Sequence, residues 1–534
     1  MDKYFESAVD NITKYGDTDI FPFPLENLVF YDNKKQTIEL LDEINKDFQK
    51  YLEEYPPVNI STCIPLGYTG FRWASQIDPL WNAYYLGLVL SITPKFEALR
   101  IPKEESVVYS YRFNPAESGS LFDRDFNWRQ FQKRSLELAR EGGYKTVLSC
   151  DIANFYHRIS HHNLKNAMDR LELDNDVPDK IHKIIQKFSE TVSCGLPVGG
   201  PASRILAELA LNNIDQHLRL YGITFCRFVD DFNIFIRSEQ EALSVLNMLT
   251  QYLMKNEVLS LQQNKTQIYS SDEFCNVIEK RLTFDDSKTI SESKAGFMSL
   301  NLHFDPYSAT ADEEYEAMKQ SINKYDIMGL LVEELRKNKI HQAFSKQLIR
   351  SFTALDDNDA SKAFMTIMDN LELLYPILPT VMISIFANFD RLEQTAKDHI
   401  MRELCENIIN GTRIVQNELI VAYIARVVGK RSSPANQSAL VRLYSMHNES
   451  ILVRSTIIRI MAHWKIHTWV RTLKPNFRTM NAWERRMFII SSYVLGEEGK
   501  HWRMHNNGGF SRFEKLCTDW ASSKKNNSDW RVPL

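Results

Sequence analysis

Two adjacent aspartates, Asp230 and Asp231, interrupt the run RFVDDFNIF, whose other residues carry the apolar pattern of two short β-strands. The Phe-Val before the pair and the Phe-Asn-Ile-Phe after it predict a hairpin with both acids at its tip, where backbone curvature lets the side chains project. Taken alone, an Asp-Asp dipeptide is usually a solvated turn. Two neighbouring anions repel, so a hairpin that carries them in an apolar setting calls for a cation.

Three further stretches bear on that cation. TVLSCDIANFYHRI runs from a β-branched strand into Asp151 and then into the polar, aromatic start of a helix that contains Tyr156. CGLPVGGPASRILAELALNNID is a Gly/Pro-rich loop feeding a helix, where small residues permit close backbone approach to a ligand or a nucleic-acid strand. LSLQQNKTQIY places Lys265 at the start of another strand. A carboxylate at a strand's end can meet a hairpin tip in space and supply the oxygens that hard divalent cations require. Cys150, Cys194 and Cys226 adjoin these segments, and small buried thiols account for them. His157, His161 and His162 read as a polar helix start rather than a metal cluster.

At 534 residues the chain exceeds one ordinary core, so two or more domains are expected. Residues 1 to 290 mix helical patterns with β-rich runs such as SVVYSYRF, KTVLSCDI and KTQIYSS, which predicts an α+β domain on a sheet. From 291 to 534, segments such as SKQLIRSFTAL, TAKDHIMRELCENII and NELIVAYIARVV space apolar residues by three and four, which predicts an all-α domain of helical-repeat type. Residues 461 to 534 hold 6 acidic and 13 basic residues and six of the nine tryptophans. That tail reads either as a last helical layer with Trp core anchors or as a basic, aromatic surface for nucleic acid.

The formal net charge of -4 excludes a globally basic nucleic-acid coat and leaves room for a local basic groove. Seven cysteines without a CxxC pair fit a reduced, cytoplasmic interior. The start MDKYFESAVD lacks an apolar signal core, and the longest apolar run is broken by Pro376 and Pro379, so neither a signal peptide nor a membrane span is expected.

The order of carboxylate, Gly-Pro loop with helix, paired carboxylates and lysine, across residues 151 to 266, resembles the palm of reverse transcriptases. Leu196-Pro197-Val198-Gly199, Ser203-Arg204-Ile205, the Asn-Phe-Tyr-His run ending at His157 and Val-Asp-Asp resemble, more narrowly, the abortive-infection reverse transcriptases of bacterial phage defence, as do KYGDTDIFPFPLENLVF and the helical second half.

That resemblance implies right-hand-like fingers and palm followed by the helical domain, and two-metal nucleotidyl transfer with magnesium or manganese. Asp151 and Asp230 would hold the metals, the Ile152 carbonyl would complete the shell and Asp231 would assist. Tyr156 would stack under the sugar and exclude a 2′-hydroxyl, its other reading being a core tyrosine. Arg112, in VYSYRFNP, would grip the triphosphate, against an ordinary surface arginine. Lys265 would stabilise or protonate the pyrophosphate, against a solvated lysine. Pro197, Val198, Gly199 and Ser203 would border the nucleotide. The family makes DNA from dNTPs without an obvious template, primes on a protein hydroxyl so that the DNA product is covalently attached, and forms homo-oligomers through the helical domain. Tyr15 is the priming candidate, with Tyr4 and Tyr31 as competitors.

Two other readings stay open. A templated reverse transcriptase working with a structured RNA predicts an RNA-binding module, for which only the Trp-rich basic tail is available. A nucleotide-sensing switch with a helical assembly scaffold predicts a dispensable acidic triad, and intact Asp151, Asp230 and Asp231 argue against it.

Overall fold

Alternating apolar side chains need a sheet to bury one face, and the β-patterned runs supply it. The computed structural model describes residues 1–283 and 324–534 except 19, 117, 142, 174, 190, 191 and 526–528, and in between residues 294, 297, 298, 319, 320 and 322. It divides into two compact units, Met1–Asn59 with Ser75–Leu282 and Ile60–Ala74 with Thr283–Leu534. The domain boundary expected at 290 lies outside the described residues. The strands among them are β1 (Ile60–Pro65), β2 (Phe71–Gln76), β3 (Thr146–Asp151), β4 (Thr224–Phe228), β5 (Asp231–Ile236) and β6 (Gln267–Ser270).

In the first unit, four of these form an antiparallel sheet in the order β4-β5-β3-β6. Register sets Val147 opposite Phe235, Ser149 opposite Asn233 and Asp151 opposite Asp231. Side chains alternate along a strand, so these three pairs share one face, which passes from apolar through amide and hydroxyl to carboxylate. At the apolar end Val147 and Phe235 join Phe131, Leu138 and Phe274 in a buried core. Midway, Asn233 Nδ2 donates to Ser135 Oγ, 3.1 Å away on the helix Trp128–Arg140. The carboxylates stand at the strand ends. The other elements that matter to them are the helix Pro79–Leu99, which is apolar all round and buried, and the helix Pro201–Leu220, which packs on it and on β4.

The run SVVYSYRF is not the strand its pattern suggests. It makes only isolated bridges, Val108 with Arg227 and Phe113 with Phe122. Tyr111 sits at φ 45°, which breaks the pleat, and Ser110 and Arg112 are both buried in polar contacts that alternation alone does not anticipate.

In the second unit, the helices Gln342–Ser351, Leu378–Asn388, Glu418–Gly429, Ile451–His463, Ala482–Ser491 and Arg512–Lys525 pack each against the next in one row, while Asp357–Met368, Gln394–Asn410 and Pro434–Met446 form a second row. Neighbours in sequence thus alternate between layers, as in a two-helix repeat. The β1-β2 hairpin belongs here: Tyr68 Oη donates to the Leu373 carbonyl at 2.7 Å and Asn417 Nδ2 to the Cys63 carbonyl at 2.6 Å. Two of the six C-terminal tryptophans are buried core anchors and the other four are half-buried. Trp520 and Trp483 are buried, Trp502 packs edge-on against Phe477 and Phe488, and Trp464 donates to the Gly429 carbonyl at 2.8 Å. No described helix is long and apolar enough to cross a membrane.

Candidate active site

The chain turns between β4 and β5 at Val229 and Asp230, as the sequence pattern requires. Asp230 occupies the tip, Asp231 opens β5, and Asp151 closes β3 directly opposite Asp231. Like charges opposed across a ladder destabilise it. Two contacts hold the three residues together nonetheless. The Ile152 N–H donates to the Asp230 carbonyl at 3.2 Å, and Lys265 Nζ donates to Asp151 Oδ2 at 2.6 Å. The Asp151 carbonyl also accepts from the Gln262 N–H at 2.7 Å, which ties the segment carrying Lys265 to the end of β3. Burial, reinforced by the charges of Asp151 and Asp231, pushes the Asp230 carboxyl up to about 7. The hydrogen bond to Asp151 raises Lys265 above the ordinary lysine range. No described set of three or more His, Cys, Asp and Glu side chains is arranged to hold a metal ion. The oxygen donors of Asp151 and Asp230, one of them charged at a cost, nevertheless suit a hard divalent cation.

A buried ionic network fixes the hairpin tip, and it was not read from the sequence. Val229 is β-branched yet sits at φ 55°, a conformation that costs about 1–3 kcal/mol and persists only where its surroundings over-determine it. Here they do. The Val229 N–H donates to Ser110 Oγ at 3.0 Å, and its carbonyl accepts from Arg227 Nη1 at 2.8 Å. Ser110 Oγ in turn donates to Glu208 Oε1 at 2.6 Å. Arg227, fully buried, pairs with Asp215 at 2.5 Å and Glu208 at 2.9 Å, and Arg100 adds a contact to Glu208 at 2.7 Å. The signal was present: Glu208 and Asp215 lie seven residues apart, hence on one face of an otherwise apolar helix, and Arg227 sits in a strand of the core.

The Gly-Pro loop is stitched beneath the helix start that bears Tyr156. The Leu196 N–H donates to the Tyr156 carbonyl at 2.8 Å and the Gly195 N–H to the Ile159 carbonyl at 2.9 Å. A side chain at Gly195 would meet the His157 carbonyl at 3.3 Å, and its φ of +100° adds backbone strain, so the close approach requires glycine. His161 is buried and its Nε2 lies 2.8 Å from the Gly195 carbonyl, so it braces the loop. The Tyr156 ring packs edge-on against Phe155, and burial, first of all, with the charges of Tyr111, Glu208 and Asp230 adding to it and that of Arg204 opposing it, holds its hydroxyl well above the ordinary range.

The remaining expected residues are distributed differently. Pro197 is buried, while Val198 and Gly199 are half-buried in the loop. Ser203 is buried in the first turn of the helix Pro201–Leu220. Arg112 does not reach the carboxylates: it is buried, with Nε on Glu97 at 2.6 Å and Nη1 on the Ile101 carbonyl at 2.8 Å. Tyr15 ends the helix Asp2–Tyr15 and is 47% exposed, whereas Tyr31 is exposed on another helix and Tyr4 is half-buried. Cys150 and Cys226 are buried thiols, pushed up in pKa chiefly by burial.

The family model described as reverse transcriptase (RNA-dependent DNA polymerase) matches residues 111–304. No curated protein matches the chain. Among solved structures it is similar to telomerase from Candida albicans in complex with a TWJ fragment of telomeric RNA, at 10% identity and a TM-score of 0.29. That likeness covers 76% of this chain and 66% of the telomerase chain, just under two thirds of it. Asp151, Tyr156, the Gly-Pro loop, Asp230, Asp231 and Lys265 all fall within the matched range, and residues 111–304 constitute a reverse transcriptase domain.

Proposed function

We propose that the chain is a DNA polymerase of antiphage abortive infection that adds deoxynucleotides without a template and starts from one of its own hydroxyls. The observation that carries the polymerase reading is the convergence of Asp151, Asp230 and Asp231 within one reverse transcriptase domain, with Lys265 on Asp151.

Asp151 and Asp230, with the Ile152 carbonyl, would hold magnesium or manganese, which when bound supplies the positive charge that stabilises a developing pyrophosphate. Asp231, directly opposite Asp151, adds to the negative field that draws a cation to the site. Lys265, which donates to Asp151, would exchange it for a phosphate oxygen and donate a proton to the leaving group. Tyr156, whose hydroxyl feels the charge of Asp230, would limit the room at the sugar and so favour deoxynucleotides. Val198 bears no amide with which to fix base-pair geometry, which suits synthesis without a template. Tyr15 is the proposed primer: its hydroxyl is exposed at a helix end, and it shares a cavity with Gly199 and Arg204 of the Gly-Pro loop and helix. The rows of helices in the second unit offer extended surfaces for self-association.

The test is incubation of purified, nuclease-treated protein with magnesium and labelled dNTPs, followed by a denaturing gel with and without protease. A protease-sensitive ladder above the protein band supports untemplated, protein-primed synthesis. Product only after an RNA template and primer are added points to a templated enzyme, and silence under both conditions to a switch.

A further inference from the structure

The turn of the β1-β2 hairpin sits at the start of the helix Gln342–Ser351. Tyr68 Oη accepts from the Ile340 N–H at 3.2 Å, and a Cβ at Gly67 would meet Gln342 Nε2 at 3.6 Å. Lys346 and Arg350 stand four residues apart on that helix, hence on one face, and Arg72 stands in β2 just past the turn. Arg72 and Arg350 are exposed and Lys346 is half-buried, and among the described residues none of the three makes an ion pair. Burial, first of all, and then the charges of Arg350 and Arg72 hold the Lys346 ammonium below the ordinary lysine range. Elsewhere in the second unit a half-buried cation has its counter-charge, as Arg485 has Glu514 at 2.6 Å. Here three cations gather without one.

β2 supplies a second, independent observation. Its first three residues, Phe71, Arg72 and Trp73, are all exposed, the two aromatic side chains at 53% each. Alternation sets both rings on one face and Arg72 on the other. Among the described strands β2 has β1 on one side and none on the other, so a chain lying along its outer edge can meet both faces.

The chemistry of this edge selects its ligand. Unpaired cations suit phosphates and bare aromatic rings suit nucleobases, and a single strand offers both where a duplex hides its base faces. An acidic peptide would meet the cations and leave the rings idle. We infer that the outer edge of β2, with Lys346 and Arg350, holds single-stranded DNA, its bases against Phe71 and Trp73 and its phosphates at the three cations. The inference rests on the chain being a polymerase that works without a template, whose product is single-stranded. It gives the second unit the task of holding that product.

The test is fluorescence anisotropy of a labelled oligothymidylate with the full chain at a series of salt concentrations. The triple variant Arg72→Gln, Lys346→Gln, Arg350→Gln should flatten the slope of log affinity against log salt by about 2, at about 0.7 for each phosphate contact on a single strand. Phe71→Ala with Trp73→Ala should weaken binding at least about tenfold and leave the slope as in wild type, because stacking releases no counterion. Wild type should bind the oligothymidylate more tightly than duplex DNA or polyglutamate. A slope unchanged in the triple variant, a slope altered by the aromatic pair, or duplex or polyglutamate bound as tightly as the single strand would each overturn the inference. Tighter binding of oligouridylate would overturn the choice of DNA over RNA. Incorporation of labelled dNTPs, measured in parallel, separates the two claims. Synthesis by a chain whose variants bind like wild type sinks the β2 edge alone, and the expected binding without synthesis sinks the polymerase reading.

Discussion

The ammonium of Lys265 lies 2.6 Å from Asp151 Oδ2, although 114 residues separate the two in the chain. It stands where a cation would be drawn, and its side chain is 64% exposed, so the pair contributes little to stability and can exchange. Lys265→Met is therefore expected to split binding from chemistry. The turnover number for nucleotide addition should fall about 100-fold, as for loss of a general acid. The magnesium concentration giving half-maximal rate should fall too, because a competing charge is gone. A titration of rate against magnesium checks both, and a midpoint that rises or stays fixed contradicts the exchange.

Glu208 connects Ser110, Arg100 and Arg227 behind the hairpin. Glu208→Ala leaves two buried guanidinium groups short of a partner and should cost about 3–5 kcal/mol in denaturant unfolding. Ser110→Ala is milder, at about 1–3 kcal/mol, since it leaves no buried charge without a partner while removing the hydrogen bonds that Ser110 Oγ accepts from the strained Val229 N–H and donates to Glu208. Its effect on nucleotide addition should nonetheless exceed what its stability loss explains, because Asp230 follows Val229 directly. Addition by Ser110→Ala at the wild-type rate would show that the network does not position the tip.

Tyr156 stands on the helix start that Leu196 anchors, and its hydroxyl feels the charge of Asp230. Tyr156→Ala should bring ribonucleotide incorporation at least about tenfold closer to deoxyribonucleotide incorporation, by removing a steric block rather than an attraction. Unchanged sugar discrimination under single-nucleotide competition would return Tyr156 to the core.

Asp230 also gives a signed dependence on pH. Its carboxyl titrates near 7 in the folded chain against 3.8 when exposed, so between these values the folded state holds the extra proton and stability declines as pH rises. Asp230→Asn removes that penalty. The variant should be more stable than wild type by about 1–3 kcal/mol above pH 7, with the difference vanishing below pH 4. Nucleotide addition at limiting magnesium should rise with pH up to about 7 in the wild type, since only the ionised carboxylate holds a cation. Chemical unfolding at pH 4 and pH 8 measures the first, and a variant less stable at both contradicts it.

The sheet was legible in the sequence because its pattern is local. Five or six residues of alternation at 146–151 and 231–236 suffice to set a strand, and an Asp at each relevant end follows from position alone. The helical second unit was legible for the same reason, since each helix carries its own three- and four-residue spacing. Non-local pairing was not legible. SVVYSYRF alternates like a strand, but Ser110 and Arg112 turn inward to partners at Glu208 and Glu97, so no strand forms. The β1-β2 hairpin packs with helices beginning hundreds of residues later, and only the fold brings Tyr68 to Leu373.

The most direct measurement is incorporation of labelled deoxynucleotides by purified wild type and by the double variant Asp230→Ala, Asp231→Ala, with magnesium, both without nucleic acid and with an RNA template and primer. Wild type should incorporate label and the folded double variant should not, under either condition. Undiminished synthesis by the double variant would contradict the assignment of the hairpin tip as the catalytic centre.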